Sequence, residues 1–326
     1  MTEPLLMVDD LQVVFPTPHG IVRAVNRVSF EISPGQIYGI VGESGCGKTA
    51  TGKAPLRLVP PPGIIPGGQI FFQGDDLLQK GEQEMRRLRG RRIAMVFQDP
   101  AAALNPVFTI GQQLLGIMKH HKIVYDNGRR RRAIELLGEL GLPAPESILN
   151  RYPHELSGGM QQRAMIAMAL SAEPDLIIAD EPTSALDVTI QSQILDLLVR
   201  LRHERGVTII LITHDLGVVA ETCDAVAVFY LGEIIERGNV RDIFHHTRHP
   251  YTRQLLDSLP NPNKWGQELN VIPGSVPTNF DQIQGCPFET RCSDRLAICK
   301  PTKPLNVKFS GSHEAACHLY EGGKQS

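Results

Sequence analysis

The chain has 326 residues, a formal net charge of −2, 42% hydrophobic and 21% charged residues. This balance is ordinary for a soluble globular protein, suits one large α/β domain with an appendage, and leaves no electrostatic case for nucleic acid as a partner. No apolar run approaches the ~18 residues that span a bilayer, and no signal-like segment precedes Leu5. The expectation is a cytosolic chain whose membrane association, if any, is made through partner proteins.

Leu5 to Phe15 alternates as a strand and Val28–Ile32 reads as a second, with the turn-rich loop Phe15-Pro16-Thr17-Pro18-His19-Gly20 after the first. Gln36–Val41 is a buried strand that runs into Gly42-Glu43-Ser44-Gly45-Cys46-Gly47-Lys48-Thr49, a full match to G-x-x-x-x-G-K-[ST]. In a strand–turn–helix setting, the backbone N–H groups of such a loop cradle the β-phosphate of a nucleotide. Lys48 then reaches the β/γ oxygens and Thr49 binds Mg²⁺. The Cys46 thiol, among backbone amides at a helix N-terminus and beside Lys48, is expected to have a lowered pKa and to react readily. Pro55, about two turns into the helix, predicts a kink or an early end. Val59-Pro60-Pro61-Pro62-Gly63 is loop. Gln69–Gln73 and Arg92–Phe97 read as strands, and Gln98, just past the second, could reach a metal and an attacking water. Taken alone, a Gln there is a polar strand end. The basic runs Arg86, Arg87, Arg89, Arg91, Arg92 and Arg129–Arg132 read as solvated helix faces, because nothing aromatic interleaves them.

The stretch from His154 to Asp187 organises the chain. Ser157, Gly158 and Gly159 open a helix where free N–H groups and the helix dipole favour an anion. Leu176–Ala179 is a short apolar strand ending in Asp180 and Glu181. One carboxylate can hold Mg²⁺ through water, and the other can take a proton from an attacking water. Ile190, Ile194, Leu197, Leu198 and Leu201 then form one apolar helical stripe. Val207–Thr213 is a buried strand tipped by His214, placed beside the strand that ends at Asp180 and Glu181. With a phosphate loop and paired carboxylates in the chain, His214 reads as a γ-phosphate contact; by itself it would read as a structural histidine. Ala225–Leu231 and Glu233–Glu236 form a hairpin.

Residues 260–326 hold seven Pro and six Gly with little periodicity, so this tail needs a staple. Four of the six cysteines lie there, as Cys286-x5-Cys292-x6-Cys299-x17-Cys317. In a reducing compartment the clustering favours a metal site over disulfides. No C-x-x-C pair is present, and the spacing leaves a four-iron cluster, zinc and unligated thiols all open. Cys223 reads as a small core residue.

Gly42–Thr49, Gln98, Leu156–Arg163, Asp180–Glu181, Ser184–Asp187 and His214 stand in the order and spacing of the full motif set of the ATP-binding-cassette (ABC) ATPases, which residues 1–260 resemble. Phe97-Gln98-Asp99-Pro100 before Leu104-Asn105-Pro106, and His249-Pro250-Tyr251-Thr252 before Leu255-Leu256, are similar to the peptide/nickel importer branch. The cysteine-bearing tail matches its dipeptide and oligopeptide subunits. The resemblance implies an α/β P-loop fold: a RecA-like core, an antiparallel β subdomain and a helical subdomain at about 100–172, all within an ATP-binding domain at 1–259. An irregular extension at 260–326 would follow. It also implies an ATP-hydrolysing subunit of a dipeptide or oligopeptide importer. A nickel or other small-solute importer is the alternative, as is a soluble non-transport ABC ATPase, whose coiled-coil insertions or second cassette are not seen here.

The family's mechanism implies two cassettes packed head to tail. Ser157, Gly158, Gly159 and Gln161 would then close on ATP held by the partner's phosphate loop, with Asp187 lining the seam. Glu181 would be the general base, His214 and Gln98 would position water and γ-phosphate, and Thr49, Gln98 and Asp180 would hold Mg²⁺. The implied partners are a second cassette, identical or a sister subunit, and two membrane permeases. Through the permeases comes an extracytoplasmic peptide-binding protein, which places the chain at the cytoplasmic face of the inner membrane. Some positions depart from the pattern. Cys46 replaces a frequent Ser, Ala101-Ala102-Ala103 replaces a more polar run, and the adenine-stacking aromatic is displaced. Phe15 is the candidate for it and His19 the runner-up, although Phe15 equally reads as a strand-end core residue. Resemblance to cluster-bearing relatives favours a [4Fe–4S] cluster on Cys286, Cys292, Cys299 and Cys317, with all-thiolate ligation.

Overall fold

A computed structural model describes residues 3–18, 20–123, 128–184, 186–259, 272–277 and 283–321. The strands are β1 (Leu6–Thr17), β2 (Gly20–Ile32), β3 (Ile37–Val41), β4 (Ile64–Phe72), β5 (Asp75–Asp76), β6 (Ile93–Val96), β7 (Leu176–Asp180), β8 (Thr208–Thr213), β9 (Ala225–Tyr230), β10 (Glu233–Asn239), β11 (Asn306–Lys308) and β12 (Glu314–Ala316). The helices are α1 (Lys48–Lys53), α2 (Glu82–Leu88), α3 (Pro100–Ala103), α4 (Ile110–His120), α5 (Gly128–Glu139), α6 (Pro145–Ile148), α7 (Gly158–Leu170), α8 (Val188–Arg205), α9 (Leu216–Thr222), α10 (Val240–His245) and α11 (Pro250–Asp257). They fall into two units, Met1–Gln79 with Thr213–Ser326, and Lys80–Ile212.

The first unit contains an antiparallel sheet in the order β2-β1-β4-β5. Here the sequence reading needs correcting. The stretch Phe15–Gly20 is not all loop, because β1 runs on to Thr17 and β2 begins at Gly20, well before Val28, pairing with β1 from Thr17↔Gly20 to Leu6↔Ile32. Register shifts between Val8 and Leu11, Leu11 and Val13, and Val13 and Val14 break the two-residue alternation that reveals a strand in sequence. Likewise β4 starts at Ile64, directly after the proline loop, and not at Gln69.

The same unit holds the run β11-β12-β10-β9-β3. β3 and β9 are buried at every position and pair in parallel, Tyr38↔Ala225 to Val41↔Val228. β9 turns into β10 through Leu231 and Gly232, both left-handed (φ 47° and 78°), a two-residue turn closed by the pair Tyr230↔Glu233. Helix α1 stops after six residues and a 3₁₀ turn over Ala54–Leu56 takes up Pro55, the early end that the proline predicts.

The described residues of the extension pack against the core of the first unit. Phe288 is fully buried, its ring centroid 5.2 Å from both Tyr230 and Tyr251 and 5.9 Å from His249. β12 adds to the edge of β10 through Glu236↔Ala315 and Arg237↔Glu314. The buried Glu236 carboxylate accepts from the backbone of Arg248 (2.6 Å) and His249 (3.0 Å) and lies 2.8 Å from His313 Nε2. A buried carboxylate with three partners is retained where an unpaired one would not be.

The second unit is built on parallel β6, β7 and β8, in register Ile93↔Leu176 and Asp180↔Ile212, with β7 and β8 wholly buried. Helices α3 to α7 fall between β6 and β7 in the chain. Helix α8 begins at an Asp187 cap, buries Ile194, Leu197, Leu198 and Leu201, and stops at left-handed Gly206 (φ 65°). Part of each basic run is neutralised locally. Arg89 pairs with Glu82, Arg92 with Asp175, and Arg131 and Arg132 with Glu135 and Glu139.

Candidate functional site

Between β3 and α1, in the first unit, the phosphate loop is held by contacts that admit no side chain at two of its glycines. A Cβ on Gly42 would fall 2.3 Å from the Phe229 carbonyl oxygen, and one on Gly47 (φ 99°) 2.0 Å from that of Ala24. Ser44 and Gly45 are exposed at the tip. Lys48, almost wholly buried, donates from Nζ to the carbonyls of Gly42 (2.7 Å) and Glu43 (3.0 Å). Thr49 stands at the second position of α1, and Thr51 Oγ1 donates to the Gly47 carbonyl at 3.0 Å. The Glu43 side chain is gripped by Arg291, whose two terminal nitrogens lie 2.7 and 3.0 Å from its carboxylate oxygens.

The structure overturns the expected reactivity of Cys46. Its side chain is 2% exposed, and burial pushes the thiol pKa up despite Lys48 Nζ at 3.8 Å. Desolvation of the thiolate outweighs one neighbouring cation. Alkylation of Cys46 at pH 7 should therefore be slower than that of an exposed model thiol, and should accelerate as pH rises beyond the usual thiol range. Peptide-mapped labelling rates against pH check this; fast labelling at neutral pH would contradict the burial.

In the second unit, β7 delivers Asp180, 3% exposed, at its last position. Glu181 follows with a left-handed backbone (φ 44°), a conformation that costs a non-glycine residue about 1–3 kcal/mol and marks a site held for use. It is held by its own amide, which donates to the Ile212 carbonyl (2.9 Å), and by its carbonyl, which accepts from Ser184 N (3.3 Å) and Oγ (3.2 Å). Gln98 Nε2 donates to Glu181 Oε2 at 3.1 Å, so these two predicted site residues meet. Asp180 stands opposite Ile212, two residues before His214, which is exposed just past β8.

Ser157 caps α7, its Oγ accepting from Met160 N at 3.4 Å. Gly159 is required for close packing, since its Cβ would fall 2.9 Å from Ile190 Cγ2, whereas Gly158 has room. Gln161 is engaged elsewhere. Its Nε2 donates to the carbonyls of Pro153 (2.9 Å) and Leu156 (3.2 Å), fixing the turn that presents Ser157. Asp187 caps α8 by accepting from Ile190 N at 3.0 Å. Phe15 is partly buried in β1, and its ring covers Gly63, whose Cβ would meet Cε1 at 2.6 Å. His19 lies outside the described residues.

The four tail cysteines come together in the first unit. The Cys286 amide donates to the Cys299 carbonyl at 2.7 Å, and Cys286 and Cys292 pack against the core that holds Phe288. Every pair among the four is close enough for one thiolate to act on the other. Burial pushes Cys286 up to about 12 and Cys317 to about 11 and raises Cys292, each with a further push from its neighbours. Among the described residues no three His, Cys, Asp or Glu side chains surround one point as ligands of a single ion. Cys223 packs against Gly39 and is pushed up to about 12 by burial, a core thiol.

A family model for ABC transporters matches residues 25–184, and one for the C-terminal region of oligopeptide/dipeptide transporters matches residues 235–299. The chain is 46% identical to the dipeptide transport ATP-binding protein DppD of Bacillus subtilis over 98% of its own length and 96% of that protein's. The chain belongs to the ABC transporter ATP-binding proteins of the oligopeptide/dipeptide family. To the dipeptide transport ATP-binding protein DppD of Escherichia coli it is 43% identical over 96% of each chain. A dimeric ATP-binding cassette, MJ0796, in a post-hydrolysis state with ADP and Pi superposes with a TM-score of 0.65 at 28% identity. That match covers 72% of this chain and 99% of that one. The protein thus has the ABC ATPase fold and is an ATP-hydrolysing transporter subunit that uses ATP with Mg²⁺. Among the described residues no helix is long and apolar enough to cross a membrane.

Proposed function

We propose that this cassette powers uptake of dipeptides or oligopeptides, working as one of two cassettes beneath a pair of permeases at the cytoplasmic face of the inner membrane. A peptide-binding protein outside would deliver the substrate. The observation that carries the reading is the Gln98–Glu181 contact at the left-handed end of β7. A carboxylate held there by backbone and by a glutamine is oriented before any substrate arrives. In this reading Glu181 takes the proton of the attacking water, Gln98 and His214 place water and γ-phosphate, and Asp180 and Thr49, with Gln98, face Mg²⁺. Gly42–Thr49 receives the phosphates, and Phe15 offers its ring to adenine. Ser157, Gly158 and Gly159 face the ATP of the second cassette, with Gln161 shaping their turn and Asp187 at the seam. A docking surface for the permeases is supported by the exposed apolar residues Val107 and Phe108 beside a groove that continues along Gly116, Ile117 and His121.

We also propose that residues 260–326 form an extension stapled by a [4Fe–4S] cluster on Cys286, Cys292, Cys299 and Cys317. What supports this reading is the gathering of four thiols, Cys299 and Cys317 buried and Cys286 and Cys292 half-buried, in one part of the extension, together with the resemblance to cluster-bearing relatives. The bound group would supply cross-linking, as metal sites do in other small folds.

Purification from native membranes with the co-purifying subunits, followed by ATP-driven uptake of a radiolabelled dipeptide into proteoliposomes, tests the transport reading. ATP hydrolysis without permeases in the preparation, or uptake of nickel in place of peptide, would replace it. In the same preparation Ser157→Arg should leave ATP binding at Lys48 of its own chain intact and disable the partner's site. Complexes carrying Ser157→Arg in one cassette and a Lys48 substitution in the other separate the two arrangements, and loss confined to the mutant's own site would refute head-to-tail packing.

A further inference from the structure

The phosphate loop and the C-terminal extension meet at one ion pair. Arg291, whose side chain is 4% exposed, lies in a 3₁₀ turn of the extension and directs its guanidinium at Glu43, the second residue of the loop. Nη1 donates to Glu43 Oε2 at 2.7 Å and Nη2 to Oε1 at 3.0 Å, a two-pronged geometry that fixes orientation as well as distance. The rest of the guanidinium is committed too. Nε donates to the Pro273 carbonyl (3.0 Å), Nη1 reaches Tyr230 Oη (3.4 Å), and the Tyr230 and Phe288 rings flank it at 5.8 and 6.0 Å. Glu43 is fixed at every polar group it has. Its amide donates to Tyr251 Oη at 3.1 Å, and its carbonyl accepts from Lys48 Nζ at 3.0 Å.

We infer that Arg291 is a positioning residue for nucleotide binding: through Glu43 it holds the phosphate loop in its binding shape, so that ATP affinity depends on the folded extension. The inference rests on reading Gly42–Thr49 as the ATP loop. A phosphate cradle works by pre-aligned backbone amides, and loosening it transfers the cost of ordering to the ligand. Arg291 itself touches no nucleotide and acts only through Glu43. It is joined by a peptide bond to Cys292, so whatever fixes that thiol also fixes the clamp.

The test is equilibrium binding of a fluorescent ATP analogue with Mg²⁺ to the full chain, together with KM and kcat in the assembled transporter. Arg291→Ala should weaken binding about ten-fold, within the usual range for coupled sites. KM should rise with it while kcat at saturating ATP stays within about two-fold, the pattern of lost uniform binding. Arg291→Lys, which keeps the charge and loses the fork, should fall between. Glu43→Gln should weaken binding by a similar factor, and the double variant no further than the worse single one. Glu43 is 28% exposed in its side chain, so Glu43→Gln keeps the fold and decides the matter alone if Arg291→Ala does not fold. Wild-type affinity in the folded Glu43→Gln chain, or losses that simply add, would overturn the clamp. A wild-type chain that binds no nucleotide would instead refute the ATP-loop reading, and the clamp with it.

Discussion

Glu181→Gln is expected to cut ATP turnover by about 10²–10⁴-fold while nucleotide binding persists. The substitution keeps the shape of the side chain, and the remaining carbonyl oxygen can still accept from Gln98 Nε2, now at 3.1 Å from Oε2. The backbone restraints are unaffected, because the Glu181 amide and carbonyl are bonded to Ile212 and Ser184 whatever the side chain. Only the capacity to take a proton is lost, so the fall should appear in kcat and not in affinity. A cassette pair that binds ATP and cannot hydrolyse it should also accumulate as closed dimer, visible by light scattering at saturating ATP. Near-normal phosphate release from the variant in its assembled complex would remove Glu181 from the role of base.

Replacing Cys292 or Cys299 by Ser should have the second large effect, on the extension and not on chemistry. Protein purified without oxygen is expected to be brown and to carry about four irons per chain. Either substitution should bleach it and open residues 283–321 to protease. Among the tail's described residues the helical turns are single and the strands β11 and β12 have three residues each, so few backbone bonds resist local opening there. Stoichiometric zinc without iron would replace the cluster and keep the staple. An extension that resists protease with all four cysteines replaced would refute both, and would mean that Phe288 and the β12 pairing suffice.

Much of the fold was legible because its signals are local. The phosphate loop follows a fully buried strand, Asp180 and Glu181 end another, and Ser157 with its two glycines announces a helix start. Part of the first hairpin was hidden because the irregular register of β1, its Pro16 and the Pro18 that follows it imitate loop chemistry. The pKa of Cys46 was misjudged for a related reason. Sequence shows the neighbouring Lys48 but not the burial that outweighs it. Gln161 could be recognised as part of a motif, yet only the fold shows its amide spent on Pro153 and Leu156. Glu43 and Arg291 are 248 positions apart, and no periodicity or spacing connects them. The contacts that sequence cannot supply are the long-range polar ones, whose partners are set by packing.

The pairing of β12 with β10 also bears on how the protein behaves in a crowded cell. Without residues 306–316, the outer side of β10 would present open backbone donors and acceptors to other chains, the template from which strand-to-strand aggregation grows. The extension replaces that edge with β11, three residues long, ending at Lys308 and paired on its inner side with β12. A short strand with a lysine at its end is a poor template. A chain ending near Ser258 should therefore lose more than its cysteine site: it should oligomerise irregularly through β10, and a single lysine placed at an outward position of that strand should restore its solubility.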